Sequence, residues 1–433
     1  GQAIGPGLQL DFSRHMNRLL DLDIEGRTVR VEPGMGLDEV NARLKPHGLQ
    51  LPLDLSTSSR ATIGGMIANN SAGTRSIVYG KTIDYVEELE VVLADATSIT
   101  MQALDEDAQR EKSNRDDLEG TCYRLMQELG TKHQDEIRIR YPKIQRRVGG
   151  YNLDEFTPAD KPLNLCRIMV GSEGTLGLTV AAKLRLVPLP ECRIVCCVQF
   201  TDVLEAMAAT PVILQHEPSA IELVDRFILD STQGRIEFES LRAFIQGDPG
   251  AVLLVEFFDD DPARIDSLAA DLEQRELGHY VYRAITAEDQ ARIWDLRKAA
   301  LGLTMSQMGD AKSISFVEDT AVDPERLPEY VRRFDEIVRS HDTTAGYYGH
   351  ASVGCIHIRP LINLKTSEGV DRMVSIASDV SDLVLEFGGA MSGEHGDGLV
   401  RSVWNEKMFG PQIYDAFRQV KRAFDPQGIM NPG

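Results

Sequence analysis

No part of the chain approaches the ~18 consecutive apolar residues that a membrane-spanning helix needs. The strongest apolar stretch, residues 251–258, is interrupted by Glu256 and suits a buried strand. The six cysteines, at 122, 166, 192, 196, 197 and 355, make no CxxC pair or other metal-binding spacing. Adjacent Cys196 and Cys197 point to opposite faces of a strand, so buried thiols in a reducing cytoplasm are the expected state. Basic residues are in short supply: 46 Lys and Arg stand against 67 Asp and Glu, for a net charge of −21. Such a surface repels nucleic acid and anionic bilayers, so neither is an expected partner. An anionic ligand must instead be drawn in by a local cluster of arginines. No secretory signal is visible; the expected location is the cytoplasm, including the periphery of the inner membrane. No Gly-x-Gly-x-x-Gly follows a strand, which argues against a nicotinamide-binding Rossmann unit.

What is present is histidine, glycine and carboxylate, concentrated in two short segments. They are Gly349-His350-Ala351-Ser352-Val353-Gly354-Cys355-Ile356-His357 and Ser392-Gly393-Glu394-His395-Gly396-Asp397-Gly398, which hold three of the nine histidines. His350, His357 and Glu394 offer two imidazoles and a carboxylate, a usual set for a divalent metal with open positions for substrate; Zn, Fe and Mn all suit it. His395 is left beside them as a base. A lone histidine reads more readily as a satisfied structural residue, and His-x6-His alone is a weak metal signal. The glycines at 346, 349, 354, 393, 396 and 398 add weight by clearing space for close approach.

Before Pro188 and Pro190, strands are expected over 28–32, 86–94, 168–170 and 178–187, with helices over 37–46 and 118–129. The two prolines mark a boundary. Beyond it, strands over 194–200, 252–258, 280–284, 313–317, 345–350 and 355–360 alternate with helices over 202–216, 262–277, 287–308, 324–340 and 368–387. A last helix spans 411–424. This rhythm implies an α+β unit, an antiparallel sheet covered on one face by helices.

Thr62-Ile63-Gly64-Gly65-Met66 and Gly171-Ser172-Glu173-Gly174-Thr175-Leu176-Gly177 place bare backbone N–H groups at turns, an arrangement that favours phosphate or a polar ring edge. Either alone reads as a tight structural turn; the two together point to a large polar cofactor. Extended through Ile67-Ala68-Asn69-Asn70-Ser71-Ala72-Gly73, Tyr79-Gly80, Asp84 and Val91-Val92-Leu93-Ala94-Asp95, the first segment resembles the FAD-binding domain of the vanillyl-alcohol-oxidase (PCMH) type flavoproteins. The second is similar to that family's second flavin loop. His350, His357 and Ser392-Gly393-Glu394-His395-Gly396 resemble the D-2-hydroxyacid dehydrogenase branch, which includes D-lactate, glycolate and D-2-hydroxyglutarate dehydrogenases. Trp294-Asp295-Leu296-Arg297, Lys312 and Asn431-Pro432-Gly433 match the same branch.

The resemblance implies an α+β chain: a PCMH-type FAD-binding domain over 1–190, an antiparallel-sheet cap domain with the metal site over 191–400, and a segment over 401–433 that returns to the FAD domain. It implies FAD held by Gly1, Gln2, Thr62, Gly64, Gly65, Asn69, Asn70, Ser71, Gly73, Gly171, Ser172, Glu173, Gly174, Thr175, Gly177 and Asn431, and a divalent metal held by His350, His357 and Glu394. His395 would be the catalytic base, with Arg297 and Lys312 on the substrate carboxylate. The implied reaction is oxidation of a small anionic D-2-hydroxy acid to the 2-oxo acid, with hydride transfer to the flavin. Electrons would pass to a quinone, an electron-transfer protein or a fused iron–sulfur domain. Arg359 and Arg401 are candidates for a distal carboxylate, which favours a dicarboxylate such as 2-hydroxyglutarate. The rival readings are a 2-hydroxyacid oxidase that uses dioxygen and a flavin-free metal-binding domain.

Two departures stand out. Only Gly1-Gln2 remains of the family's pyrophosphate loop, so the chain reads as N-terminally trimmed. The family's common His-x-Gly-Asp-Gly-Asn-Leu-His also differs: Cys355 replaces an asparagine and Arg359 stands two residues after His357. That variant resembles the long members fused to a cysteine-rich domain, so an iron–sulfur cluster is expected only in a C-terminal extension.

Overall fold

Two antiparallel sheets, one on each side of the Pro188 and Pro190 boundary, organise the chain. The computed structural model describes residues 7–157, 161–305 and 308–432; Gly1 and Gln2, expected at the flavin, lie outside the described residues. The first sheet contains β1 (Leu19–Asp23), β2 (Thr28–Val31), β3 (Val86–Val92), β4 (Ser98–Gln102) and β5 (Leu178–Arg185), in the order β1-β2-β5-β3-β4. Helix α1 (Ile63–Asn69) starts at Thr62, whose hydroxyl accepts from Gly65 N at 3.3 Å, and stops at Asn70 in the left-handed conformation, φ 52°. Helix α2 (Leu118–Lys132) is capped by Asp117 and buries Tyr123, Met126 and Leu129. The strand expected over 168–170 is instead a helical turn, Cys166–Met169. Three apolar residues before a glycine do not separate the two forms by periodicity.

The second sheet contains β6 (Cys192–Phe200), β7 (Ala220–Asp225), β8 (Ala251–Asp259), β9 (Tyr280–Ala284), β10 (Lys312–Ser313), β11 (Ala345–His350) and β12 (Cys355–Ile362). Its order is β9-β6-β8-β7-β11-β12-β10. β7 escaped the sequence pattern, and the strand expected over 313–317 pairs only through Lys312 and Ser313. Helices cover both faces rather than one. Cys196, Val198, Leu253 and Val255 pack with α3 (Val203–Leu214), α4 (Pro262–Gln274) and α6 (Leu327–Ser340). Cys197, Val195, Val224 and Leu254 pack with Ile293, Leu296 and Ala300 of α5 (Ala287–Met305). The reason is composition: runs such as Val195-Cys196-Cys197-Val198 are apolar on both sides of the strand, so both sides must be buried. Helix α7 (Asn405–Phe424) breaks at Gly410, φ 78°, and packs on α2 of the first unit.

Glu256 joins the two units. It is fully buried on β8, and the Arg75 guanidinium that follows α1 reaches it with Nη2 2.7 Å from Oε1. Asp54 binds the same guanidinium, and the Trp294 ring lies 5.4 Å below it. The charge that interrupts the apolar run is therefore an ion-pair partner. Replacing Glu256 with Ala leaves the buried guanidinium with Asp54 alone and is expected to cost up to about 3–5 kcal/mol, whereas Glu256→Leu combined with Arg75→Met is expected to be close to neutral. Denaturant unfolding of the two variants checks this.

Candidate active site

Strand register assembles one wall of the site. His350 pairs with Glu222 and Tyr348 pairs with both Val224 and His357. Alternation then places Glu222, Tyr348, His350, His357 and Arg359 on one face of the sheet, the face that α5 covers with Arg297. Within β11, the close approach to β12 depends on Gly349, at φ 137°. A Cβ there would stand 2.8 Å from Cys355 O and 3.0 Å from His357 N.

The opposite wall is the loop at 392–397, and Asp319 holds it. The buried Asp319 carboxylate accepts from Ser392 Oγ at 2.7 Å, Glu394 N at 3.1 Å and His395 N at 2.8 Å. Glu394 is thereby presented to the sheet. Its Oε1 lies 3.2 Å from His350 Nε2, 3.1 Å from His357 Nε2 and 3.4 Å from His395 Nε2. Every Nδ1 is engaged on the far side: His350 with Glu222 Oε1 at 2.6 Å, His357 with the Glu318 carbonyl at 3.3 Å, His395 with Glu318 Oε1 at 2.9 Å. These outer partners aim all three Nε2 atoms at one point.

The charges follow from this packing. Burial pushes His357 down to about 4, so it is neutral. In the tautomer whose Nδ1 donates to the Glu318 carbonyl, Nε2 presents its lone pair to the Glu394 carboxylate. Two lone pairs 3.1 Å apart repel, and a cation between them turns the repulsion into coordination. Burial opposes the charge on Glu394, but His350 and the Arg146 guanidinium outweigh it and hold the carboxyl well below the usual range. Burial likewise opposes charge on His395, yet Asp319, Glu318 and Glu394 raise it to about 10. Asp319, His357, Glu394 and His395 offer ligand atoms within 4.8 Å of one another. Asp319 spends its oxygens on the loop, and His395 is the most open imidazole, 34% exposed against 8% for His350 and 4% for His357. His350 is not in that group, though its Nε2 also lies 3.2 Å from Glu394 Oε1; His350, His357 and Glu394 together could hold a divalent cation, with His395 left the more exposed.

Among the other expected residues, Arg297 is buried with Nε and Nη2 at 2.8 and 2.7 Å from Glu222. Arg297 and Arg359 flank the Tyr348 ring at 5.1 and 5.6 Å. Lys312 is exposed on edge strand β10 opposite Ile362. That position is roughly 16 Å along β12 from His357, and alternation puts it on the other face, away from the cluster. Gly171, at φ 84°, follows the helical turn and bonds Ile67 O at 2.9 Å; Gly174, at φ 72°, has open space before it. Asn70 and Glu173 spend their side chains on the protein. Asn70 Oδ1 accepts from Ile83 N at 3.0 Å, and the Glu173 carboxylate accepts from Asp397 N and Gly398 N at 2.7 and 2.9 Å. Asn431 Nδ2 donates to Glu173 O at 2.9 Å, and Thr175 Oγ1 to Ser172 O at 2.6 Å. Ser71 O accepts from Thr82, and Gly73 packs on the Asp54 backbone. Asn69 Nδ2 donates to the Glu394 carbonyl at 2.5 Å, so both expected flavin loops border the 392–398 loop.

Sequence reasoning missed Arg146, Glu222, Glu318 and Asp319. Glu222 had a signal, a lone carboxylate inside Ala220-Ile221-Leu223-Val224; so had Glu318-Asp319, an acidic pair straight after Phe316-Val317. Arg146 had none.

This fold has solved counterparts. A 4-ethylphenol oxidase from Gulosibacter chungangensis superposes with TM-score 0.62 at 13% identity, covering 97% of this chain and 78% of that one. A p-cresol methylhydroxylase with substrate bound superposes with TM-score 0.62 at 14% identity, covering 96% and 77%. The architecture is therefore the PCMH type, an FAD-binding domain followed by a second, antiparallel-sheet domain. The chain belongs to the FAD linked oxidases: residues 189–433 match the C-terminal domain of that family, and residues 1–102 match an FAD binding domain. Among its relatives, the D-2-hydroxyglutarate dehydrogenase of Pseudomonas putida is 35% identical and that of Escherichia coli 34%, each across 100% of this chain. The chain spans only 44% of the length of those two. The glycolate oxidase subunit GlcD of Bacillus subtilis is 28% identical over 99% of this chain and 79% of its own. No helix among the described residues is long and apolar enough to cross a membrane.

Asp319→Ala is expected to strip the acceptor from Glu394 N and His395 N and to cost about 2–6 kcal/mol, at 1–3 for each orphaned donor. Asp319→Asn, which keeps one acceptor oxygen, is expected to cost less. Unfolding midpoints of the two variants compare them.

Proposed function

We propose that this chain oxidises a D-2-hydroxy acid, specifically a dicarboxylate of the 2-hydroxyglutarate kind, to its 2-oxo acid, with FAD as cofactor and a divalent metal at His350, His357 and Glu394. The observation that carries the reading is the convergence of three imidazole Nε2 atoms on one carboxylate oxygen, with every Nδ1 fixed from behind. The flavin reading is supported by exposed Gly65 and by open Gly174 on the two loops that border this centre. When bound, FAD supplies the hydride acceptor and the metal polarises the substrate hydroxyl.

The chain's own groups do the rest. His395 Nε2 takes the hydroxyl proton, and Glu318 at Nδ1 stabilises the imidazolium that results. The carboxylates that hold His395 near 10 are the charge that a bound cation offsets, which brings the imidazole toward the neutral form a base needs. Arg297 keeps one Nη for the α-carboxylate while its other nitrogens stay on Glu222. Arg359 supports the dicarboxylate assignment: its Nη1 bonds Ser315 Oγ at 2.6 Å, and its buried Nε has no partner among the described residues. A buried donor without an acceptor calls for a partner, and a distal carboxylate would supply one here. The relatives named D-2-hydroxyglutarate dehydrogenase agree with two carboxylates.

Anaerobic D-2-hydroxyglutarate added to the FAD-loaded chain is expected to bleach the flavin absorption; bands that persist overturn the substrate assignment. His395→Asn is expected to lower turnover about 10²–10⁴-fold with flavin content unchanged; undiminished turnover removes its role as base. Arg359→Met is expected to raise KM for the dicarboxylate while leaving that for D-lactate near its original value. Equal KM changes for both substrates would exclude a distal-carboxylate contact.

A further inference from the structure

Arg146 has a side chain that is entirely buried, yet it belongs to no apolar cluster and follows no pattern in the sequence. Its guanidinium bridges two segments. One Nη bonds Glu394 Oε2, and the other bonds Gly73 O at 2.7 Å. Its Nε has no partner among the described residues. The neighbouring Arg147, by contrast, is satisfied close to home by Asp154 at 2.7 Å and by the Tyr141 ring. Burying a guanidinium is costly, and an arginine kept only for packing would have each donor bonded. Arg146 therefore stands where it does for the sake of the two groups it bridges.

Those two groups belong to different parts of the proposed centre. Glu394 is a proposed metal ligand, and Gly73 closes the flavin-side loop that begins at Thr62. A second bond runs in parallel: Asn69 Nδ2, from the same loop, donates to the Glu394 carbonyl at 2.5 Å. The carboxylate and the backbone of one ligand are thus both fastened to the flavin side. With Oε2 taken by Arg146, only Oε1 faces the three Nε2 atoms. A carboxylate free at both oxygens can clamp a cation through both, which fills a position that a 2-hydroxy acid needs for its hydroxyl or carboxylate.

We infer that Arg146 is a positioning residue that holds Glu394 as a one-oxygen metal ligand and sets its distance from the flavin-side loop. The inference rests on the metal reading above, and its test separates the two. Zn²⁺ is titrated calorimetrically into the FAD-loaded full chain, as wild type and as Glu394→Gln, Arg146→Gln and Arg146→Lys, with flavin absorption and unfolding temperature recorded for each. Arg146→Gln is expected to weaken Zn²⁺ about 10–100-fold, the usual effect of losing a ligand's outer partner, with the flavin spectrum unchanged. Arg146→Lys keeps the charge but reaches only one of the two acceptors, so it is expected to fall between wild type and Arg146→Gln. A wild type that binds no Zn²⁺ overturns the metal reading itself. Zn²⁺ binding that is lost in Glu394→Gln but undiminished in Arg146→Gln leaves that reading standing and overturns this inference. Should Arg146→Gln fail to fold, wild-type Zn²⁺ affinity and kcat in Arg146→Lys overturn it equally.

Discussion

One carboxylate, that of Glu394, is claimed from both sides. Three imidazoles meet its first oxygen and a buried guanidinium meets the second. Nothing in the local chain would hold a loop residue in that position. Asp319 does it from another segment by accepting two consecutive backbone N–H groups and a hydroxyl. The imidazoles are set in turn by Glu222 and Glu318, so the centre is a ring of acid–base contacts in which each group orients the next.

That ring also gathers buried cations in an acidic protein. The net charge is −21, but Arg146, Arg297, Arg359 and Arg401 are all buried around the same point. Glu222, Glu318 and Glu394 keep their protons off because those cations and the histidines outweigh burial. These pairs lie in the interior, where the effective dielectric is low and solvent screening weak, while the surface stays repulsive toward polyanions.

The centre lies across the junction of the two sheets. Asn69 and Arg146 tie the first unit to Glu394, Glu173 ties it to Asp397 and Gly398, and Arg75 ties it to Glu256. Each contact is a charged or amide group of one unit meeting a polar group of the other. The geometry of the site and the stability of the junction therefore rest on the same bonds, and a change that loosens the junction also shifts Glu394 relative to the loop at 62–73.

Much of this was legible in residue order. His350, His357, Glu394 and His395, which the structure brings together, stood out as histidine and carboxylate set among glycines, and most strands of the second unit stood out as apolar runs, β7 excepted. The helices expected were placed to within a few residues because their period and caps are local, while those over Glu106–Ser113, Gln134–Arg140 and Arg226–Thr232 were not expected. Three kinds of feature were not legible. A short apolar run such as Cys166–Met169 carries no period, so its helical turn passed for a strand. Covering both faces of the second sheet depends on what packs above and below it, and no single strand records that. Above all, the partners that aim the site are remote: Glu222 is 128 positions from His350, and Arg146 is 248 from Glu394. Residue types and short spacings follow from local chemistry. Which buried charge meets which is settled only when the strands take their register and the two sheets close on each other, because a hydrogen bond acts over 3 Å of space regardless of the length of chain between its ends.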